Sequence, residues 1–175
     1  YKGGVRVTML CGFRALEDYR RKAESTGCIS SALCVKEEDV AQGVEKLKND
    51  CTEWKQRYAQ LKRDMLAIRA ERLAGQSADV IVFADDLEGE ELRILMNLIL
   101  DHGKRLCAVF GGDEEHGFRY VIGSRILDMR PLAKELNETF HGRGGGKSEM
   151  VQGSVQGNES EMRAWIQEKA RKMNG

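Results

Sequence analysis

Between residues 37 and 72 Val40, Val44, Leu47, Cys51, Trp54, Tyr58, Leu61, Met65 and Ile68 form an apolar series whose steps alternate four and three without a slip. That 3.5-residue period keeps an apolar seam on one side of a helix over many turns, whereas a pattern of period 3.6 drifts off this register. The stretch predicts one long helix lying along another, either the helix expected around Phe13, Leu16 and Tyr19 or a second copy of itself. The residues expected to make that contact are Val44, Leu47, Cys51, Trp54, Tyr58, Leu61 and Met65. The alternative is an ordinary amphipathic helix on a globular core. In its second half Lys55, Arg57, Lys62, Arg63, Arg69 and Arg72 outnumber Asp64 and Glu71, which is a solvated face or a strip for a phosphate backbone.

Ahead of the seam, residues 5–11 read as a strand, 13–22 as a helix ended by Gly27, and 30–34 as a short connection. Gly75-Gln76-Ser77 then punctuates the chain and the elements become short. Strands are expected at 79–84, 106–110 and 118–123, the last two forming a hairpin across a turn at 111–113. Helices are expected at 88–100, with the stripe Leu92, Leu95, Met96 and Ile99, and at 128–140, capped by Asp128 with Pro131 in its first turn. A strand at 149–155 and a helix at 159–172 complete the pattern. The fold class is α/β: a long coiled-coil-like helix followed by a small α/β sandwich with a mixed sheet flanked by helices. The boundaries expected are 1–12 for the remnant strand of a missing domain, 13–75 for a helical connector and 76–175 for a C-terminal α/β domain.

The 28 cations and 28 anions cancel, so nucleic acid can be attracted only by a local patch. Five cysteines at irregular spacing form neither a disulfide framework nor a zinc pair, which points to a reducing cytoplasm. No run of about 18 apolar residues is present to span a bilayer. His102, His116 and His141 are far apart with no metal-ligand spacing and read as surface histidines, and Asp85-Asp86 and Asp113-Glu114-Glu115 read as solvated acidic turns. Cys107, inside an apolar strand, reads as inert core. No catalytic residue and no metal ligand is assigned.

Four glycines, Gly142, Gly144, Gly145 and Gly146, fall within five residues together with Arg143 and just before Lys147, and charged and apolar residues resume at once. A linker would stay rich in glycine and serine, so the segment reads as a shaped loop. It leaves a helix and enters a strand, the reverse of the phosphate-binding and dinucleotide loops. Two readings stay open: a tight turn against a neighbouring helix, or an anion-binding concavity of backbone N–H groups assisted by Lys147 and the Arg143 fork.

Residues 142–153, GRGGGKSEMVQG, resemble the glycine-rich motif of the C-terminal domain shared by alanyl-tRNA synthetases, freestanding alanyl-tRNA editing proteins of the AlaX type and, in variant form, DHH-family phosphoesterases. The phosphoesterase version carries histidine where this chain has Lys147. At the other end, Lys2-Gly3-Gly4-Val5-Arg6-Val7 and Cys11-Gly12-Phe13-Arg14-Ala15-Leu16 with Tyr19 resemble the end of an editing domain running into its helical connector. Arg143 within the glycine run and Ser148 in place of a frequent proline are departures from the family.

The resemblance implies a tRNA-binding and self-associating C-terminal domain, a homodimer with tRNA-Ala as partner. Zinc is expected only in a missing editing domain, because Ala15 rather than histidine stands four positions after Cys11, and the fragment is expected to lack deacylase activity. The RNA contacts it implies are Arg143, Gly144, Gly145, Gly146 and Lys147 with Lys104, Arg105, Arg119 and Arg125. A nucleotide-binding accessory domain of a phosphoesterase and a pure dimerisation module are the alternatives.

Overall fold

The computed structural model describes residues 3–5, 7–75 and 77–173. Two compact units divide the chain, Tyr1–Tyr58 and Ala59–Gly175. The division falls inside the long helix, whose turns from Ala59 on belong to the second unit and place Leu66 and Ala70 in its core.

In the first unit, α1 (Phe13–Leu33) is followed by a 3-10 turn at Glu37–Asp39 and the start of α2 (Val40–Ala74). The strand expected at 5–11 is not formed: Val5 and residues 7–11 carry no regular structure, and no described segment offers their backbone groups a ladder. Lys2 and Arg6, part of that reading, lie outside the described residues, as does Gln76. Helix α1 does not stop at Gly27. It runs on to Cys34, which turns left-handed at φ 53°, with the Val35 amide donating to Ser30 O at 3.1 Å. Gly27 stays helical, and a Cβ there would sit 3.3 Å from Glu37 Oε1, so its small size leaves room for the returning chain.

Helix α1 meets the chain again at the 3-10 turn. Phe13, Leu16 and Tyr19 are exposed, so they do not cover the seam. Its members from Val44 to Ile68 are 48–66% exposed, with Cys51 exposed as well. A different stripe of α2, Leu66, Ala70 and Ala74, is buried.

The second unit is a five-stranded sheet in the order β1-β2-β3-β5-β4. Its strands are β1 (Asp79–Ala84), β2 (Leu106–Asp113), β3 (Gly117–Gly123), β4 (Arg143–Lys147) and β5 (Met150–Val155). Only the β1–β2 pair is parallel, linked by α3 (Glu90–Asp101) as a crossover; the rest is antiparallel. Helices α4 (Arg130–Thr139) and α5 (Glu159–Lys172) complete the layer on the other side.

Strand alternation divides the side chains into two cores. Phe110, Tyr120, Ile122 and Val151 meet Leu132, Leu136, Met162 and Ile166 beneath α4 and α5. Val82, Cys107, Val109 and Val121 meet Leu95, Met96 and Ile99 of α3 with Leu66 and Ala70 of α2.

Three local expectations are corrected. Gly111-Gly112-Asp113 belongs to β2, which continues in register with β3, and the turn is at 114–116, held by Asp113 Oδ1 accepting from the His116 and Glu115 amides at 2.7 and 2.9 Å. The cap of α4 is Met129, although Asp128 Oδ1 does accept the Arg130 amide at 3.0 Å. The glycine segment is not a loop: it is the edge strand β4, fully paired with β5.

Candidate nucleic-acid interface

Strand β4 exists because its glycines let it lie close to β5 and α4. A Cβ on Gly144 would come within 2.4 Å of Gln152 O and 2.5 Å of the Tyr120 hydroxyl, and one on Gly146 within 2.3 Å of Met150 O. Gly145 is the exception, with nothing within 4 Å of its Cβ position. None of Gly142, Gly144, Gly145 and Gly146 has positive φ, so successive amides do not form the αR-αL concavity of an anion nest. Of the two open readings, the packing one accounts for Gly142, Gly144 and Gly146.

Asn137 of α4 fastens the strand. Its carboxamide Oδ1 accepts from the Tyr120 hydroxyl at 3.0 Å, its Nδ2 donates to Gly144 O at 3.4 Å, and its backbone O accepts the Gly142 amide at 2.8 Å. At the hairpin tip, Ser148 O accepts the Met129 amide at 2.8 Å and Glu149 O the Ser124 amide at 3.0 Å.

With the even-numbered glycines turned to α4, the flanking cations fall on the opposite face. Gly111, Arg119, Ser154 and Arg143 are successive cross-strand partners on β2, β3, β5 and β4. Arg119 and Arg143 therefore share a face, two strands and roughly 10 Å apart. Gln152 and Gly145 form the next row of that face, and Met150 and Lys147 the one after. Leu87 and, from α3, Leu92 cover the row at Gly111, and beyond it Arg119, Arg143, Gln152, Ser154 and Lys147 are all exposed. Among the described residues the side chains of Arg119, Arg143 and Lys147 have no ion-pair or hydrogen-bond partner.

The remaining cations expected to bind RNA are placed differently. Arg105 precedes β2, at the end of that strand away from Gly111. Its Nε donates to Asp79 Oδ1 at 2.8 Å, a second bond reaches Asp79 Oδ2, and Nη2 donates to Ala170 O at 2.9 Å. Asp79 pushes its pKa up further by that hydrogen bonding, against the opposing effect of burial. Arg125 pairs with Asp101 at 2.8 Å, and Lys104 is half-buried in the turn after α3. The structure brings Arg119 and Arg143 together, holds Lys147 four residues along the same strand, and engages Arg105 and Arg125 elsewhere.

A concavity of about 640 Å3 opens beside the Arg119–Arg143 row. It adds His116, His141, Ser154 and Gln156 on one side and Asp85 and Glu88 on another. Sequence reading passed over Ser154 and Gln152, whose only signal is their even spacing along a strand that had to be paired with Arg143 to reveal them. His116 and His141 are surface residues as expected, 25 positions apart in the chain yet lining one hollow. The exposed guanidinium groups and hydroxyl suit a phosphate-bearing polymer rather than bond cleavage.

Among the described residues no three His, Cys, Asp or Glu side chains converge as a metal site. No described helix is long and apolar enough to cross a membrane. Cys107 is fully buried, and burial pushes its thiol up to about 12.

Residues 75–173 match the model of the DHHA1 domain family. The chain is 31% identical over 75 residues to an alanine–tRNA ligase of Acholeplasma laidlawii, covering 43% of this chain and 9% of that protein. It is 23% identical over 159 residues to an alanine–tRNA ligase of Pyrococcus abyssi, covering 87% of this chain and 17% of that protein. The chain thus spans less than a fifth of these curated relatives. Among solved structures, the C-Ala domain of alanyl-tRNA synthetase from Aquifex aeolicus aligns with a TM-score of 0.44 at 20% identity, over 51% of this chain and 89% of that one.

Proposed function

Because the chain belongs to the DHHA1 domain family and is related to the C-terminal part of alanyl-tRNA synthetases, we propose that it holds tRNA, tRNA-Ala above all, and self-associates, as a cytoplasmic C-terminal domain of an alanyl-tRNA synthetase-like or alanyl-tRNA editing protein. The observation that carries the RNA reading is the open sheet face on which Arg119, Arg143 and Lys147 stand without protein partners. Three uncommitted cations on one exposed face make a local patch in a chain of zero net charge. Self-association is supported by the exposed heptad seam of α2. Zinc-dependent deacylation, in this reading, belongs to a part of the protein other than these residues.

Titration of tRNA-Ala against the chain and its Arg119→Ala and Arg143→Ala variants over a range of salt tests the RNA reading. Both variants are expected to bind more weakly and to lower the salt slope by about one unit per lost phosphate contact. Unchanged affinity and slope in both would remove this face as the interface. Binding of short oligonucleotides or cyclic dinucleotides in preference to tRNA would move the reading to a phosphoesterase-type accessory domain.

A further inference from the structure

The flanks of the seam carry more information than the seam itself. With Val44, Cys51, Tyr58 and Met65 at the a positions and Leu47, Trp54, Leu61 and Ile68 at d, the e positions are Lys48, Lys55, Lys62 and Arg69. The g positions are Asp50, Arg57, Asp64 and Glu71. One edge is wholly cationic and the other mainly acidic. Interhelical charge pairs at e and g set orientation: in a parallel pair each g faces the e of the following heptad, whereas in an antiparallel pair e faces e and g faces g.

Resting on the reading of this seam as a self-association surface, we propose that its occupant is a second copy of the chain, docked parallel and in register so that the two Cys51 side chains meet. Every antiparallel register sets cationic e positions against each other. The parallel register sets Asp50 against Lys55 of the second copy and Asp64 against Arg69, although Arg69 is also held by Asp86 and Asp64 by Gln60 of their own chain, so the Asp50–Lys55 pair carries the orientation. Asp50 and Lys55 are exposed and their side chains have no partner among the described residues of their own chain. The one like-charge pair of the parallel register, Arg57 with Lys62, is compensated within each chain: Arg57 Nη2 bonds Glu53 Oε1 at 2.6 Å and Lys62 bonds Glu91. Parallel pairing also brings together Leu61, Met65 and Ile68 of both copies, and with them the two sheet domains.

The test uses the full chain with Cys11, Cys28 and Cys34 replaced by serine, leaving Cys51 as the exposed thiol beside buried Cys107. Sedimentation equilibrium reads association, and mild oxidation followed by a non-reducing gel reads whether Cys51 links the copies. The expected result is a dimer that crosslinks through Cys51. Lys55→Glu should weaken it roughly threefold to thirtyfold, and adding Asp50→Lys to the same chain should restore it. In an antiparallel pair Lys55→Glu would relieve repulsion and tighten association, so tightening, or a dimer whose Cys51 does not link, overturns the orientation alone. A monomer at every concentration overturns the self-association reading and this inference with it.

Discussion

The Tyr120 hydroxyl on β3 donates to Asn137 Oδ1 on α4 at 3.0 Å, and the same carboxamide reaches Gly144 O on the edge strand. Burial pushes the Tyr120 pKa up, against the effect of that hydrogen bond, so the phenol stays protonated as a donor. Asn137 is the clamp that holds β4 to the rest of the sheet. Asn137→Ala should cost about 1–3 kcal/mol by leaving the buried hydroxyl unsatisfied, whereas Tyr120→Phe should cost only about 0.5–1.5 kcal/mol. Thermal denaturation checks the order; equal or reversed costs would remove Asn137 as the clamp.

The glycines of β4 should not be interchangeable. Gly144→Ala pushes a methyl into Gln152 O and the Tyr120 hydroxyl and should destabilise by more than about 1 kcal/mol. Gly145→Ala enters open space on the cationic face and should stay within about 0.5 kcal/mol of the parent. Chemical denaturation of the two variants decides the matter, and equal costs would contradict the packing account of the run.

Arg105 and Arg143 should separate by readout. Arg105→Ala removes a half-buried fork from Asp79 and Ala170 O and is expected to lower the melting temperature with a loss of about 1–3 kcal/mol. Arg143→Ala leaves the melting temperature nearly unchanged and weakens tRNA binding. A stable Arg105→Ala variant with weakened RNA binding would reverse these roles.

The contact between α2 and α3 should be acid-sensitive. The Lys62 hydrogen bond is the largest influence holding the Glu91 pKa below its ordinary value near 4.5, with the Glu88 amide adding to it while burial and Asp86 oppose it. A carboxylate whose pKa is lowered in the folded state contributes stability above its unfolded pKa and loses it as pH falls through the folded value. The contribution should therefore be complete at neutral pH and fade below about pH 4.5. Glu91→Gln should flatten that part of the stability–pH profile; an unchanged profile would show that the pair adds nothing.

Elements with their own local pattern were legible before any contact was known. The apolar run of β1 and the amphipathic stripe of α5 fall at 79–84 and 159–172 as expected, since period and capping are properties of the segment itself. The glycine strand was not legible as a strand, because its residues carry no strand propensity and its pairing depends on β5 and α4. Of the cations that the resemblance named, Arg119, Arg143 and Lys147 stand on one exposed face while Arg105 is held by Asp79, a difference that was not legible because residue type does not show which arginine has a carboxylate beside it.

The sequence by itself determined the heptad period of α2, the places of β1, β2, β3 and β5 and of the helices between and after them, and the neutral overall charge, all of which are local or additive properties. The tertiary structure alone decided that the glycines serve close packing rather than an anion nest, and that Arg119 and Arg143 stand on one face with their charge unspent. Both outcomes depend on which backbone lies against which, and that is set by burying Tyr120 and Val151 under α4 rather than by anything within the glycine run.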